Sequence, residues 1–215
     1  MRKTSYVIAF FAVVATFTLN VVSLRRPDWL VVNMEGLGTK STYQFGLTRV
    51  CERFVIPMPG PSDGSKIEYS NYECRPFPAR EADHCEKENR DFCIAWTTAG
   101  YISELGAGFA VVSALALVFG VTTHSRRRRI WRAVAVLVGL HAACLIATFA
   151  LVTDAYTNST YPLFDRSRPN VAYVLGTLAW ILAVFATFGV AITGMAANRG
   201  HRWAAGNRHY TPIAG

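Results

Sequence analysis

The stretch "YQFGLTRVC", Tyr43 to Cys51, decides how this chain is read. Tyr43, Phe45 and Leu47 fall on one face of a period-2 pattern and Gln44 and Thr48 on the other, the alternation of a half-buried β-strand, and the segment ends in a cysteine. "DWLVVNM" before it and "KIEYSNYEC" after it are also rich in β-branched and aromatic residues. Between them "PMPGPSDGS" has the proline and glycine content of a turn. The expectation is a small antiparallel sheet in a polar segment that lies between strongly apolar runs.

Those runs set the class. The chain has 215 residues, 52% of them hydrophobic, and a mean hydropathy of +0.23, too apolar for an ordinary soluble domain of this length. Four runs, Tyr6–Leu24, Tyr101–Val121, Ala133–Val152 and Ala172–Ala197, are long enough to cross about 30 Å of hydrocarbon as helices. The first follows Arg2 and Lys3, a basic start that also marks a cleavable signal peptide. It is long for a signal core, and Asn20, Val21, Val22 and Ser23 lead to Leu24 and Arg25-Arg26 without a small-x-small site, so a retained helix is expected. The fold expected is mainly α: residues 1–215 form one four-transmembrane-helix bundle, with a disulfide-stapled extracellular β-sheet in the loop 25–98.

Charge gives an orientation. The N-terminus (Arg2, Lys3), the segment "HSRRRRIWR" (Arg126, Arg127, Arg128, Arg129, Arg132) and the tail (Arg199, Arg202, Arg208) hold ten basic residues and no acid. Residues 25–98 hold 10 basic and 11 acidic residues, and residues 153–171 hold two of each. The positive-inside rule therefore puts both termini and the arginine segment in the cytoplasm. The net charge of +8 is read as a basic inner face, with Arg126–Arg129 and Arg132 touching anionic lipid, each such residue contributing about 1 kcal/mol. No motif or globular domain for nucleic acid accompanies it, so no nucleic-acid partner is expected.

Four of the five cysteines, Cys51, Cys74, Cys85 and Cys93, lie in the loop, and Cys144 lies in the third run. An even number on an oxidising side implies two disulfides. Three pairings are possible and sequence alone does not choose among them; the pairing expected is Cys51 with Cys74 and Cys85 with Cys93. A zinc site with His84 is the alternative, but the intervening 10 and 7 residues lack a close CxxC pair, so neither metal nor cofactor is expected.

Trp29 soon after the first run, then Gly46 and Leu47 ahead of Cys51, then Cys74, resembles the claudin and peripheral-myelin-protein superfamily. Its outer loop carries a tryptophan, Gly-Leu-Trp, two further residues, and two cysteines. Thr48 stands where that family has its second tryptophan, Cys74 is farther from Cys51 than in typical claudins, and two extra cysteines follow. The character is that of a divergent member, akin to the fungal PalI-type proteins or the lipoma-fusion-partner-like tetraspans. The resemblance implies a sheet resting on a four-helix bundle, a plasma-membrane location, and a role in organising membrane or cell-surface contacts. The tail "TPIAG" lacks a hydrophobic terminal residue for a PDZ scaffold.

Catalytic signatures such as HExxH, GxSxG and the P-loop do not occur, and no enzyme activity is expected. His141 and Glu104 are ionisable residues within apolar runs, which marks a functional site by default. The reading taken is structural for both: a neutral imidazole bonded to a neighbouring helix, and a carboxylate near the outer end of its run. Gly100, Gly106, Ala107, Gly108 and Ala110 in the second run, and Gly189, Thr193 and Gly194 in the fourth, allow close helix approach within the bundle or with a partner. Trp29, Trp96, Trp131 and Trp203 lie near run ends as interfacial anchors, whereas Trp180 lies within the fourth run. Asn158-Ser159-Thr160 is an N-glycosylation acceptor. The function expected is a non-enzymatic tetraspan acting through its extracellular loop, by self-association or with a membrane-protein partner. The alternative is an accessory subunit of a channel, pump or transporter.

Overall fold

The computed structural model describes residues 3–36, 39–59, 66–122 and 124–205. It is mainly helical, with four long helices, a five-stranded antiparallel sheet and two disulfides. The helices are α1 (Lys3–Arg25), α2 (Arg90–Thr122), α3 (His124–Thr157) and α4 (Val171–Asn198). Each is long and apolar enough to cross a membrane, the build of an integral membrane protein. Pro27 closes off α1, and Thr157 is followed by Asn158 and the left-handed Ser159, where α3 ends.

Two helices extend beyond the expected runs. The second begins at Arg90 rather than Tyr101, so Cys93 and Trp96 are helical and the loop read as 25–98 ends at Asn89. A hydropathy window misses this start because "RDFC" is charged, although Asp91 in the first turn suits a helix N-terminus. The third begins at His124, so the arginine segment read as a short loop forms its first turns.

The strands are β1 (Leu30–Gly36), β2 (Thr39–Phe45), β3 (Arg49–Pro59), β4 (Lys66–Pro76) and β5 (Ser167–Pro169), in spatial order β4-β3-β2-β1-β5. Strand β5 comes from the α3–α4 connection and pairs Leu30 with Pro169. It went unforeseen, since three residues around a proline carry no strand signal. Its pairing puts the α1–α2 and α3–α4 connections into one sheet. "YQFGLTRVC" is a hairpin rather than one strand: Phe45 pairs with Val50, Gly46 N–H donates to the Arg49 carbonyl at 2.8 Å, and Leu47 and Thr48 form the turn. Of the expected turn "PMPGPSDGS", Pro57–Pro59 pair with Lys66–Glu68, and residues 60–65 lie outside the described residues.

The chain divides into two compact units. A helical unit comprises Met1–Thr18, Leu105–Ala143 and Ala179–Gly215, and a sheet unit comprises Leu19–Glu104 and Cys144–Leu178. The helical unit packs Tyr6, Val13, Leu117, Val134, Val138 and Val190. Small residues set its close contacts: a Cβ on Gly120 would meet the Tyr6 ring and one on Gly194 the Trp131 ring, which makes Trp131 a packing residue. The sheet unit buries Trp29, Leu30, Val32, Phe45, Leu47 and Val50 with Phe77, Phe92, Trp96, Tyr161 and Phe164.

Candidate functional site

The four residues that carry the resemblance are all buried in the sheet unit; Trp29, Gly46 and Leu47 sit where the sheet meets helix ends, and Cys51 joins β3 to β4. Trp29 donates its indole N–H to the Ser23 carbonyl at 2.9 Å, while its backbone N–H bonds the Phe45 carbonyl at 2.9 Å. Its ring lies edge-on to Tyr173, and a Cβ on Gly176 would stand 2.8 Å from it. Gly46 has to be glycine. A Cβ there would lie 2.7 Å from both the Arg26 carbonyl and the Pro27 Cα, backbone that has little room to move. The Gly46 carbonyl accepts the Trp96 indole N–H at 3.1 Å. Trp29 and Trp96, at 2% and 1% exposure, are therefore interior struts rather than the interfacial anchors expected, because each indole N–H has a protein partner.

Hydrogen bonds also tie the helix segments of this unit together. Asn20 donates to the Ser103 carbonyl at 3.1 Å and accepts from the Ser103 hydroxyl at 2.8 Å, joining α1 to α2. Thr148 donates to the Ala99 carbonyl at 3.1 Å and Ser23 to the Ala172 carbonyl at 2.8 Å.

The two disulfides pair Cys51 with Cys74 and Cys85 with Cys93, as expected. The first bridges directly opposed residues of β3 and β4, and the second ties the turn region 79–89 to the first turn of α2. Cys144 carries a free thiol.

Beside them lies an ionic hub that sequence reasoning missed. The Asp83 carboxylate, fully buried, receives both terminal nitrogens of Arg75 at 2.7 Å, the Ala79 N–H at 2.6 Å and the Tyr161 hydroxyl at 2.9 Å. Burial acts to raise its pKa, but the bonds from Arg75, Ala79 and Tyr161 outweigh that, and it titrates below the ordinary carboxylate range. Burial, together with the same hydrogen bond, pushes the Tyr161 phenol up. The hub fastens β4, the disulfide turn and the α3–α4 connection at one point. Its only sequence signal is an arginine and an aspartate within a charged segment, with a tyrosine 78 residues away.

A cleft of about 150 Å³ opens next to the hub, lined by Tyr43, Glu52, Glu73, Arg75, Tyr161 and Leu163 among others. Tyr43, Glu52 and Glu73 are register partners on three adjacent strands, so they share a face. Desolvation, with a hydrogen bond to Glu52, pushes the Tyr43 phenol up to about 12.

The remaining expected sites stand apart. His141 is fully buried in the helical unit, its Nδ1 2.8 Å from the Gly106 carbonyl. A carbonyl only accepts, so Nδ1 carries a proton. Glu104 is exposed on α2. Asn158 is exposed just past α3, where its side-chain amide donates to Asp154 at 2.8 Å. Arg132 is exposed, its guanidinium 5.7 Å from the Trp131 ring centroid. The side chains of Arg126–Arg129, and residues Arg2, Arg208 and "TPIAG", lie outside the described residues. No group of three His, Cys, Asp or Glu close enough to hold a metal occurs among the described residues. No protein-family model matches this sequence, and no curated protein matches it in sequence comparison.

Proposed function

We propose that this chain is a non-enzymatic tetraspan that organises membrane or cell-surface contacts through its sheet unit, as a divergent relative of the claudin and peripheral-myelin-protein superfamily. The observation that carries the reading is how the sheet is mounted. Trp29, Gly46 and Leu47 hold it against helix ends, and the Asp83 hub and the two disulfides, Cys51–Cys74 among them, fix its margin. A sheet so fixed presents its exposed strands β3 and β4 at low entropic cost, the condition for a recognition surface. Two disulfides favour the oxidising side of the membrane for this unit, and the clustering of arginines favours cytoplasmic termini. Together they support a sheet on the non-cytosolic side and inner arginines that meet anionic lipid; the plasma membrane as the location rests on the resemblance.

A second reading, an accessory subunit bound through its helices, has its own support. An apolar groove of about 390 Å³ runs between α1 and α4 of the helical unit, lined by Ala9, Ala12, Ala186 and Gly189, where a Cβ on Gly189 would meet nothing within 4 Å. Small residues there leave room for a partner helix to approach closely. Purification in mild detergent with mass spectrometry of co-eluting proteins separates the two. Self-association or a partner lost when the sheet surface is altered supports the organiser; one channel or transporter in fixed stoichiometry, lost when the groove is filled, supports the subunit.

A further inference from the structure

We propose that a second cleft, beside the Cys85–Cys93 bridge, binds the headgroup of a zwitterionic glycerophospholipid from the leaflet on the sheet side, with Arg80 and Arg90 on its phosphate and Glu86 on its ammonium. This goes beyond the organiser reading and does not depend on what the sheet surface recognises.

The cleft, about 850 Å³, is lined by Arg80 and Glu86 of the disulfide turn and by Arg90, Ile94, Thr97 and Tyr101 of α2, among others. That volume lies within the range of small-molecule sites, roughly 300–1,000 Å³. Hydrogen bonds fix its height against the neighbouring spans. Ser103 of α2 is bonded to Asn20 of α1, and Trp96 to Gly46, which packs on Arg26 and Pro27 just past the end of α1. Ser23 is bonded to Ala172 at the start of α4. The α1 span ends at Arg25 and the α4 span begins at Val171, so both stop level with the part of α2 between Trp96 and Ser103. Arg90 lies about 9 Å further out along α2 than Trp96, at about 1.5 Å per residue. The cleft therefore straddles the level at which hydrocarbon gives way to headgroups.

Charged and apolar lining divide along the cleft. At its outer end Arg80, Glu86 and Arg90 are exposed, and among the described residues none of them forms an ion pair. Toward the hydrocarbon, Ile94 and Tyr101 are 56% and 69% exposed on a helix long and apolar enough to cross a membrane. Two guanidiniums suit one phosphate, which arginine binds through paired N–H donors, and their stems can follow apolar surface while the heads stay in the headgroup layer. A tyrosine at this height has the place of an interfacial aromatic. Glu86 makes the charged lining two positive and one negative, which matches a headgroup of one phosphate and one ammonium better than a purely anionic one. A soluble phosphate ester would satisfy the charges and leave Ile94 and Tyr101 bare. A diacylglycerol would cover those two and leave the charges unmatched. A phospholipid answers both halves of the cleft.

The test is native mass spectrometry of the full chain, delipidated in mild detergent and titrated with dioleoyl-phosphatidylethanolamine, dioleoyl-phosphatidylglycerol, dioleoylglycerol and free phosphoethanolamine. Wild type should take up one phosphatidylethanolamine at a saturable site, and Arg80→Gln/Arg90→Gln should weaken that site roughly tenfold or more. The double variant should keep the Cys85–Cys93 bridge and the wild-type melting midpoint in lipid-free detergent, because neither guanidinium is ion-paired within the described chain. Dioleoylglycerol and free phosphoethanolamine should each bind far more weakly than the intact lipid. Phosphatidylglycerol should be the weaker phospholipid at the variant-sensitive site, and Glu86→Gln should erase that preference. A double variant that binds phosphatidylethanolamine as tightly as wild type would overturn the proposal, as would the absence of a saturable site in wild type. Equal binding of dioleoylglycerol would remove the phosphate from the account, and equal binding of free phosphoethanolamine would make the ligand a soluble ester instead of a lipid. A co-purifying protein that excludes the lipid from wild type and is lost from the double variant would assign the cleft to a protein and overturn it as well.

Discussion

The Tyr161 hydroxyl donates to Asp83 Oδ1 at 2.9 Å, joining the α3–α4 connection to the α1–α2 connection across 78 residues. That bond, the β1–β5 pairing and the Asn170 N–H bond to the Trp29 carbonyl are among the contacts that make the two connections one unit. Tyr161 also packs on Phe45, Phe77, Phe92 and Phe164 at centroid distances of 4.8 to 6.0 Å, so its ring and its hydroxyl serve the same junction.

Tyr161→Phe keeps the ring and loses the bond to a charged acceptor, a change worth about 1.5 to 3 kcal/mol. Asp83→Ala strands Arg75 and costs more, about 3 kcal/mol, at the lower end for broken buried pairs because Arg75 is 43% exposed. Chemical denaturation followed by near-ultraviolet circular dichroism should rank wild type above Tyr161→Phe above Asp83→Ala. An Asp83→Ala protein as stable as wild type would remove the hub from the account.

The hub and the cleft predict opposite pH limits. The Asp83 pKa is depressed on folding, so its contribution is fully present above its unfolded value of 3.8 and is lost as pH falls below that through the folded value. The Tyr43 pKa is raised, so its contribution is present below its unfolded value of 10.0 and is lost as pH rises from there toward about 12. Limited proteolysis across pH should show the sheet unit loosening at both ends. Asp83→Asn should flatten the acid limb, and Tyr43→Phe should weaken the alkaline one, to which the raised Tyr161 phenol also contributes.

Glycines divide into those the packing requires and those it does not. Gly46→Ala drives a methyl into the Arg26–Pro27 backbone and should cost about 3 kcal/mol, with poor surface delivery. Gly189→Ala meets nothing within 4 Å and should be neutral or stabilise by up to about 1 kcal/mol through helix propensity. Thermal midpoints in detergent check both.

Removing the bridges should scale with the loops they close. Cys51→Ser opens a separation of 23 residues and Cys85→Ser one of 8. The chain-entropy estimate is about 3 kcal/mol for the first and somewhat less for the second. Both variants should still insert in membranes and should be delivered to the surface less well. Normal delivery of Cys51→Ser would deny the bridge its structural role.

Much of this fold was legible because its signals are local. The four apolar runs found the helices, β-branched and aromatic residues found β1 and β4, and the even cysteines of the loop found the two bridges. What was misread depends on contacts between distant residues. Period 2 across "YQFGLTRVC" is the same for a strand and for a hairpin, and what distinguishes them is Gly46 tucked under Arg26 and Pro27. Trp29 and Trp96 have the composition of interface anchors until their indole partners, Ser23 and Gly46, are known. Asp83 was one acid among eleven in its segment. Of the site, the Trp29, Gly46, Leu47 and Cys51 positions were readable, whereas the opposed Glu52 and Glu73 required the register of β3 and β4.

The most direct test of the organiser is co-purification from native membranes in mild detergent, comparing wild type, Glu52→Gln/Glu73→Gln and Gly189→Trp by mass spectrometry of co-eluting proteins. The account predicts intact Cys51–Cys74 and Cys85–Cys93 bridges in all three, and an associated protein or second copy that is lost from the sheet-surface variant and kept by Gly189→Trp. A single transporter or channel in fixed stoichiometry, kept by the sheet-surface variant and lost from Gly189→Trp, would contradict it.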